Sequence, residues 1–182
     1  MKERGPDPRL LDVLALCKAA GALQGQWPLA GMARLAESLC AASDGSAQWQ
    51  AHGWLVPVLG GEPEIWLELQ GGAEVPLECQ RCLQPMNERL QVQRRFRFVR
   101  SEDEAARLDE ESEDDVLALP ARLDLQTLLE DELILALPIV PRHEVCPEPL
   151  PLPAAEALEE QAPAPNPFAA LAALRGRPPG GG

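Results

Sequence analysis

The chain has 182 residues, 46% of them hydrophobic, and carries 16 Lys+Arg against 29 Asp+Glu for a formal net charge of −13. That length fits one domain of about 100–200 residues with tails; aromatic content of only 4%, no Tyr and 19 prolines keep part of the chain out of any packed body. The acidity excludes general attraction to a phosphate backbone and leaves only a local basic patch for such contacts.

Residues 1–8 read as a flexible N-terminus, 9–146 as a single α+β domain, and 147–182 as a Pro-rich flexible tail. Within the domain, residues 9–20 and 28–42 read as short helices, the second with Met32, Leu35, Ala36 and Leu39 at helical spacing. From residue 48 to 100 the pattern changes to strands. Trp54-Leu55-Val56-Pro57-Val58-Leu59 precedes a Gly60-Gly61 turn, and Ile65-Trp66-Leu67-Glu68-Leu69 precedes a second pair, Gly71-Gly72, before Val75-Pro76-Leu77-Glu78-Cys79. Short strands joined by Gly pairs predict an antiparallel sheet covered by a few helices.

The alternation is clearest in 89–100. Leu90, Val92, Phe96 and Phe98 share one face, and Arg89, Gln91, Gln93, Arg95 and Arg97 share the other. The apolar face belongs on the core; the arginine face meets solvent or a partner, with RNA phosphate among the candidates. Residues 101–115 then hold nine acidic side chains against Arg107 alone, a density that predicts an acidic loop or a frayed helix able to fold back over the arginine strand.

Asp124 is positioned to cap a helix whose apolar stripe is Leu125, Leu128, Leu129 and Leu133, with Glu130, Asp131 and Glu132 beside it and Pro138 ending it. Nine of the 19 prolines follow Cys146. In that tail Asn166-Pro167 opens a short helix, 167–175, in which Phe168, Leu171 and Leu174 repeat at i, i+3, i+6 as a docking peptide would.

Five cysteines form an odd set without the spacing of a secreted disulfide framework. Residues 2–8 are polar and proline-broken rather than signal-like, and the longest apolar runs, such as 133–137, are far short of a membrane span. These features predict a cytoplasmic protein with free or metal-bound thiols. Cys79-x-x-Cys82 provides two thiolates for one tetrahedral Zn²⁺, and His143 with Cys146 offers a second ligand pair. Cys17 and Cys40 fall on helical segments and read as small core residues. Enzyme chemistry has little footing: His52 and His143 are the only imidazoles, neither stands in a nucleophile motif, and no phosphate-binding glycine loop occurs, so no small-molecule substrate is expected.

Taken in order, several segments resemble the large ribosomal RNA subunit accumulation protein family, the YceD-like proteins. They are Leu77-Glu78-Cys79-Gln80-Arg81-Cys82-Leu83, Val99-Arg100-Ser101-Glu102-Asp103-Glu104, and Glu130-Asp131-Glu132-Leu133-Ile134-Leu135-Ala136-Leu137-Pro138 followed by His143 and Cys146, then Asn166-Pro167-Phe168-Ala169. The resemblance implies a non-enzymatic role in synthesis, processing or stability of 23S ribosomal RNA. Its implied partners are a ribosomal protein, a pre-ribosomal particle, or 23S ribosomal RNA itself. Many members carry a second cysteine pair after the helix, where this chain has His143 and Cys146. The acidity points toward a basic ribosomal protein, met by residues 101–115 and the helix face bearing Glu130 and Asp131. Two other readings stay open: a zinc-stabilised adaptor with no RNA role, and a thiol-redox protein.

Overall fold

A computed structural model describes residues 6–147. The chain divides into units 1–148 and 149–182, and the predicted docking helix with Phe168, Leu171 and Leu174 lies outside the described residues.

The first predicted helix contracts to α1, Val13–Lys18. Asp12 caps it by accepting from the Ala15 N–H at 2.9 Å, and Ala20 ends it in the left-handed region at φ +45°. The Gly21 N–H donates back to Leu16 O at 3.0 Å and the Ala20 N–H to Cys17 O at 3.1 Å, the paired bonds that close a helix C-terminus. The second predicted helix becomes a 3-10 turn, Leu29–Gly31, and α2, Ala33–Glu37, which bury Leu29, Met32 and Leu35. Cys40 lies beyond α2 and is exposed, contrary to the core position expected of it. Strand β1, Ala22–Pro28, occupies the segment between the helices; its three polar and glycine positions in seven give it little strand propensity of its own, and pairing with β2 supplies its structure.

Strands β2, Ser46–Val56, β3, Glu64–Glu78, β4, Pro85–Val99, and β5, Asp115–Ala118, complete a sheet of order β1-β2-β3-β4-β5. The α+β class is as expected, but the sheet is mixed: β1 to β4 are antiparallel and β5 runs parallel to β4. Helix α3, Glu102–Asp109, carries the chain back between them, which is the crossover that a parallel pair requires. The acidic segment, expected as a loop or a frayed helix, is helical over Glu102–Asp109. Ser101 caps α3 by accepting from the Glu104 N–H, and Glu102, Asp103 and Glu104 sit in its first turn, where the helix dipole favours negative charge.

Gly71-Gly72 is not a turn; β3 passes straight through it. A Cβ on Gly71 would stand 2.5 Å from Leu129 Cδ1. Glycine is present because helix α4, Leu125–Leu135, closes on the sheet there. Of the predicted stripe, Leu125, Leu129 and Leu133 are fully buried and Leu128 is half-buried. Together with α1 and α2 residues and the inward side chains of β2, β3 and β4 they form the main core. Helix α3 packs on the opposite sheet face, at the β5 edge, through Ala105 and Leu108 against Val99 and Val116. No helix among the described residues is long and apolar enough to cross a membrane.

Two acidic residues of α4 tie the layers together. Glu130 Oε1 accepts from the Arg34 and Leu35 N–H groups at 2.7 and 3.0 Å, so it caps α2 from another helix. Glu132 accepts from Arg94 Nε at 3.0 Å; Arg94 lies on the inward face of β4, apart from the outward Arg95 and Arg97. At Ala20 a left-handed φ burdens a residue with a Cβ. Ala20→Gly should therefore raise the unfolding free energy by about 1 kcal/mol in chemical denaturation, and Ala20→Val should lower it.

Candidate metal centre

The β3–β4 hairpin pairs Glu78 with Pro85, and its tip is a tight knuckle containing Cys79 and Cys82. The Leu83 N–H donates to Cys79 O at 2.8 Å and the Cys79 N–H to Gln84 O at 3.0 Å. Leu83 closes the turn at φ +59°, in the left-handed region that favours glycine.

Beyond α4, Pro138 stops the helix, and the chain runs alongside the knuckle. The Gln80 N–H donates to Pro141 O at 2.8 Å and the His143 N–H to Cys79 Sγ at 3.4 Å. The four predicted ligands, Cys79, Cys82, His143 and Cys146, come together with their ligating atoms all within 4.8 Å of one another. Cys79 and Cys82 are buried, and His143 and Cys146 half-buried.

The distances suit one tetrahedral ion. Bonds of about 2.3 Å to sulfur and about 2.0–2.1 Å to nitrogen place neighbouring sulfurs about 3.8 Å apart and sulfur and nitrogen about 3.5 Å apart. The observed separations are 3.9 Å between Cys79 Sγ and Cys146 Sγ, and 3.4 Å between Cys82 Sγ and His143 Nδ1. Burial pushes the Cys79 thiol up, but backbone N–H groups of His143, Arg81 and Cys82 outweigh it and bring the group down to about 5. Burial also pushes Cys82 up, and there it prevails. A thiolate already held by amide donors, beside a thiol that a cation would deprotonate, is a soft-metal donor set. Cys17 is different: burial pushes it up to about 11, and its Sγ donates to Trp66 O at 3.2 Å, leaving an inert core thiol.

Arg81 had no role in the sequence reasoning, although it lies between the two cysteines. Its Nε donates to Cys146 Sγ at 2.9 Å, and its Nη2 to His143 O at 2.7 Å and to Glu144 O at 3.2 Å. One guanidinium thus fixes the second ligand pair against the first, an outer-shell task that orients ligands. The signal was available: a cation inside a CxxC can face only the ligands or the solvent.

The predicted partner residues are dispersed. Arg89 is exposed on the outer sheet face; Arg95 pairs with Asp114 at 2.9 Å and Arg97 with Glu64 at 2.8 Å. The acidic segment does fold back on the arginine strand, through Asp114 to Arg95 and Asp115 to Arg94 at 3.5 Å. Glu130 and Asp131 both engage Arg34.

Comparison with known proteins follows from this geometry. The family described as large ribosomal RNA subunit accumulation protein YceD matches residues 67–175, a span that holds β3 from Leu67 onward, β4, α4 and all four candidate ligands. A relative of that same description from Haemophilus influenzae is 40% identical over 121 residues, covering 63% of this chain and 68% of the relative. No solved structure matches the chain.

Leu83→Gly should keep the knuckle and raise thermal stability by about 1 kcal/mol or less, because it relieves the left-handed strain while loosening the unfolded chain. Leu83→Val, β-branched at the same φ, should lower stability by about 1 kcal/mol or more.

Proposed function

This chain belongs to the large ribosomal RNA subunit accumulation protein family, YceD, and from that premise we propose that it is a non-enzymatic ribosome-biogenesis factor. In this reading it acts in the cytoplasm and supports synthesis, processing or stability of 23S ribosomal RNA by binding ribosomal protein or RNA of the assembling large subunit. The observation that carries the reading is the family match, which spans the hairpin, the clamping helix and the ligand cluster as one stretch. Depletion of the protein should lower 23S relative to 16S ribosomal RNA, read by quantitative gel or sequencing. An unchanged 23S to 16S ratio would defeat the proposal.

The cluster's part is structural. Three thiols and one imidazole with tetrahedral separations favour Zn²⁺, held by Cys79, Cys82, His143 and Cys146, with Arg81 orienting the second pair. All four positions are taken by protein atoms, the closed arrangement of a structural site rather than a catalytic one. The chain purified under reducing conditions should contain one zinc ion by elemental mass spectrometry. Cys79→Ser/Cys82→Ser should lose it and melt at lower temperature, and a strong chelator should reproduce that loss in the parent chain. A metal-free parent chain of undiminished stability would remove zinc from the account.

A zinc-stabilised adaptor with no RNA role has one observation in its favour. Leu83, Ile139, Val140 and Val145 stand 53%, 99%, 48% and 85% exposed around the clasp, more apolar surface than a solvent-facing loop needs. The depletion experiment separates this reading from the first. The thiol-redox reading has less support, since the CxxC lies in a turn between strands and no helix N-terminus activates it.

A further inference from the structure

The sheet face away from α1 and α4 has an order that the clasp does not explain. Among the described residues only α3 packs on it, at the β5 edge. Register aligns its side chains into cross-strand rungs. Gln24, Gln50, Gln70 and Gln93 are direct partners across four strands. The next rung toward the hairpin tip is Gln26, Gln48, Gly72 and Gln91, again glutamine wherever a side chain exists. In the other direction come His52, Glu68 and Arg95, and then Trp54, Trp66 and Arg97.

Each end of this face has a distinct chemistry. Trp54 and Trp66 lie nearly parallel, with ring centroids 6.2 Å apart and planes 12° apart, and His52 continues the row at 5.4 Å and 18° from Trp54. The Trp66 Nε1–H donates to Glu64 Oε2 at 3.0 Å, which fixes the ring. The glutamine rungs line an open trough of about 670 Å³ in which Gly72 leaves a gap and Arg89 stands at the margin. Two of the amides, Gln50 and Gln70, join to each other, and Gln93 donates to Glu68 at 2.9 Å.

Resting on the ribosomal RNA reading above, we infer that this face binds single-stranded RNA, with Trp54 and Trp66 as base-stacking platforms and the glutamine rungs as readers of base edges. Flat, fixed, partly exposed rings accept any unstacked base. A primary amide carries donors and an acceptor side by side, the pattern that matches a base edge. Outward residues recur about every 7 Å along a strand, so on β4 Arg89 borders the trough and Arg95 and Arg97 continue the row beyond it, beside Glu68 and Trp66. The face carries no surplus of positive charge, because Arg95 and Arg97 already hold Asp114 and Glu64 and because Glu68 and Glu74 share it. Stacking and amide contacts, not phosphate attraction, dominate. That also explains how a chain of charge −13 can hold RNA at all. Duplex RNA offers no base faces to the rings and is rejected.

The test uses the full chain and fluorescein-labelled twelve-nucleotide oligoribonucleotides, (A)12 and (U)12, with a hairpin duplex as control, read by fluorescence anisotropy. Single strands should bind and quench tryptophan emission, and the duplex should not. Trp54→Ala and Trp66→Ala should each weaken binding about ten-fold, and Trp54→Phe should restore most of it. Gln50→Ala/Gln93→Ala, at exposed positions that leave the core untouched, should weaken binding while the circular dichroism spectrum stays that of the parent. With at most three arginines on phosphate, the log–log salt slope should be no steeper than about 2.

A steeper slope, equal binding of duplex, or no effect of the tryptophan and glutamine variants would overturn the inference. So would variants that keep RNA binding yet lose RNase-resistant recovery of a basic ribosomal protein, since the face would then be a protein-docking surface. If depletion lowers 23S ribosomal RNA while the purified chain binds neither oligonucleotide, the face assignment falls and the biogenesis reading stands. If 23S is unchanged on depletion, the biogenesis reading falls whatever the anisotropy gives.

Discussion

Helix α4 reaches the sheet at the one point where β3 has no side chain. Leu129 occupies the space above Gly71, and Leu125 and Leu133 fill the layer on either side. That close approach brings two carboxylates under cover, which is tolerable only when each meets a donor. Glu130 turns toward α2 and takes two backbone N–H groups; Glu132 turns toward the sheet and takes Arg94. Burial pushes the Glu132 carboxyl up while Arg94 opposes the shift, so the pair holds position more than it adds stability. Helix α2 depends on this arrangement most. Five residues are too few for an independent helix, and without Glu130 the buried Leu35 N–H would lose its acceptor at a cost of about 1–3 kcal/mol, while the half-covered Arg34 N–H would lose less.

What was legible in the sequence followed local periodicity. The alternation through residues 89–100 placed Leu90, Phe96 and Phe98 inward, as they are. The leucine stripe after Asp124 and the paired spacing of Cys79, Cys82, His143 and Cys146 likewise follow from short-range pattern. What was not legible depended on partners distant in the chain. Gly71-Gly72 has the composition of a turn, and only α4, more than fifty residues later, makes it a packing site. Arg94 follows the two-residue period onto the inward face, and its partner there, Glu132, is a residue of α4 almost forty positions on. Glu130 and Asp131, expected as a face for a basic partner, meet Arg34 of the same chain instead. In the acidic stretch, Ser101 followed by three acids is a helix start, the local signal that favours the helix over the loop.

Of the outer face only the β4 row was legible, for a related reason. Gln24, Gln50, Gln70 and Gln93 are scattered polar residues in the chain and become a row only through strand register. The clasp and the tryptophans lie toward opposite ends of the β3–β4 hairpin. Twelve residues of strand separate Trp66 from Cys79, a span of about 40 Å. The two sites are therefore mechanically linked by stiff paired strands without sharing atoms.

The separation of the two ligand pairs also has a consequence in time. Cys79 and Cys82 leave the ribosome about sixty residues before His143 and Cys146, which at about 5–20 residues per second is an interval of several seconds. During that interval a nascent chain presents two adjacent thiols with no imidazole and no third sulfur, a partial chelate open to the wrong cation or to an oxidant. Only when the segment after α4 emerges can the loop close and the guanidinium of Arg81 latch it. The last-made part of the described residues is thus the part that brings the third and fourth candidate ligands to Cys79 and Cys82, and a chain interrupted before Cys146 lacks one of them.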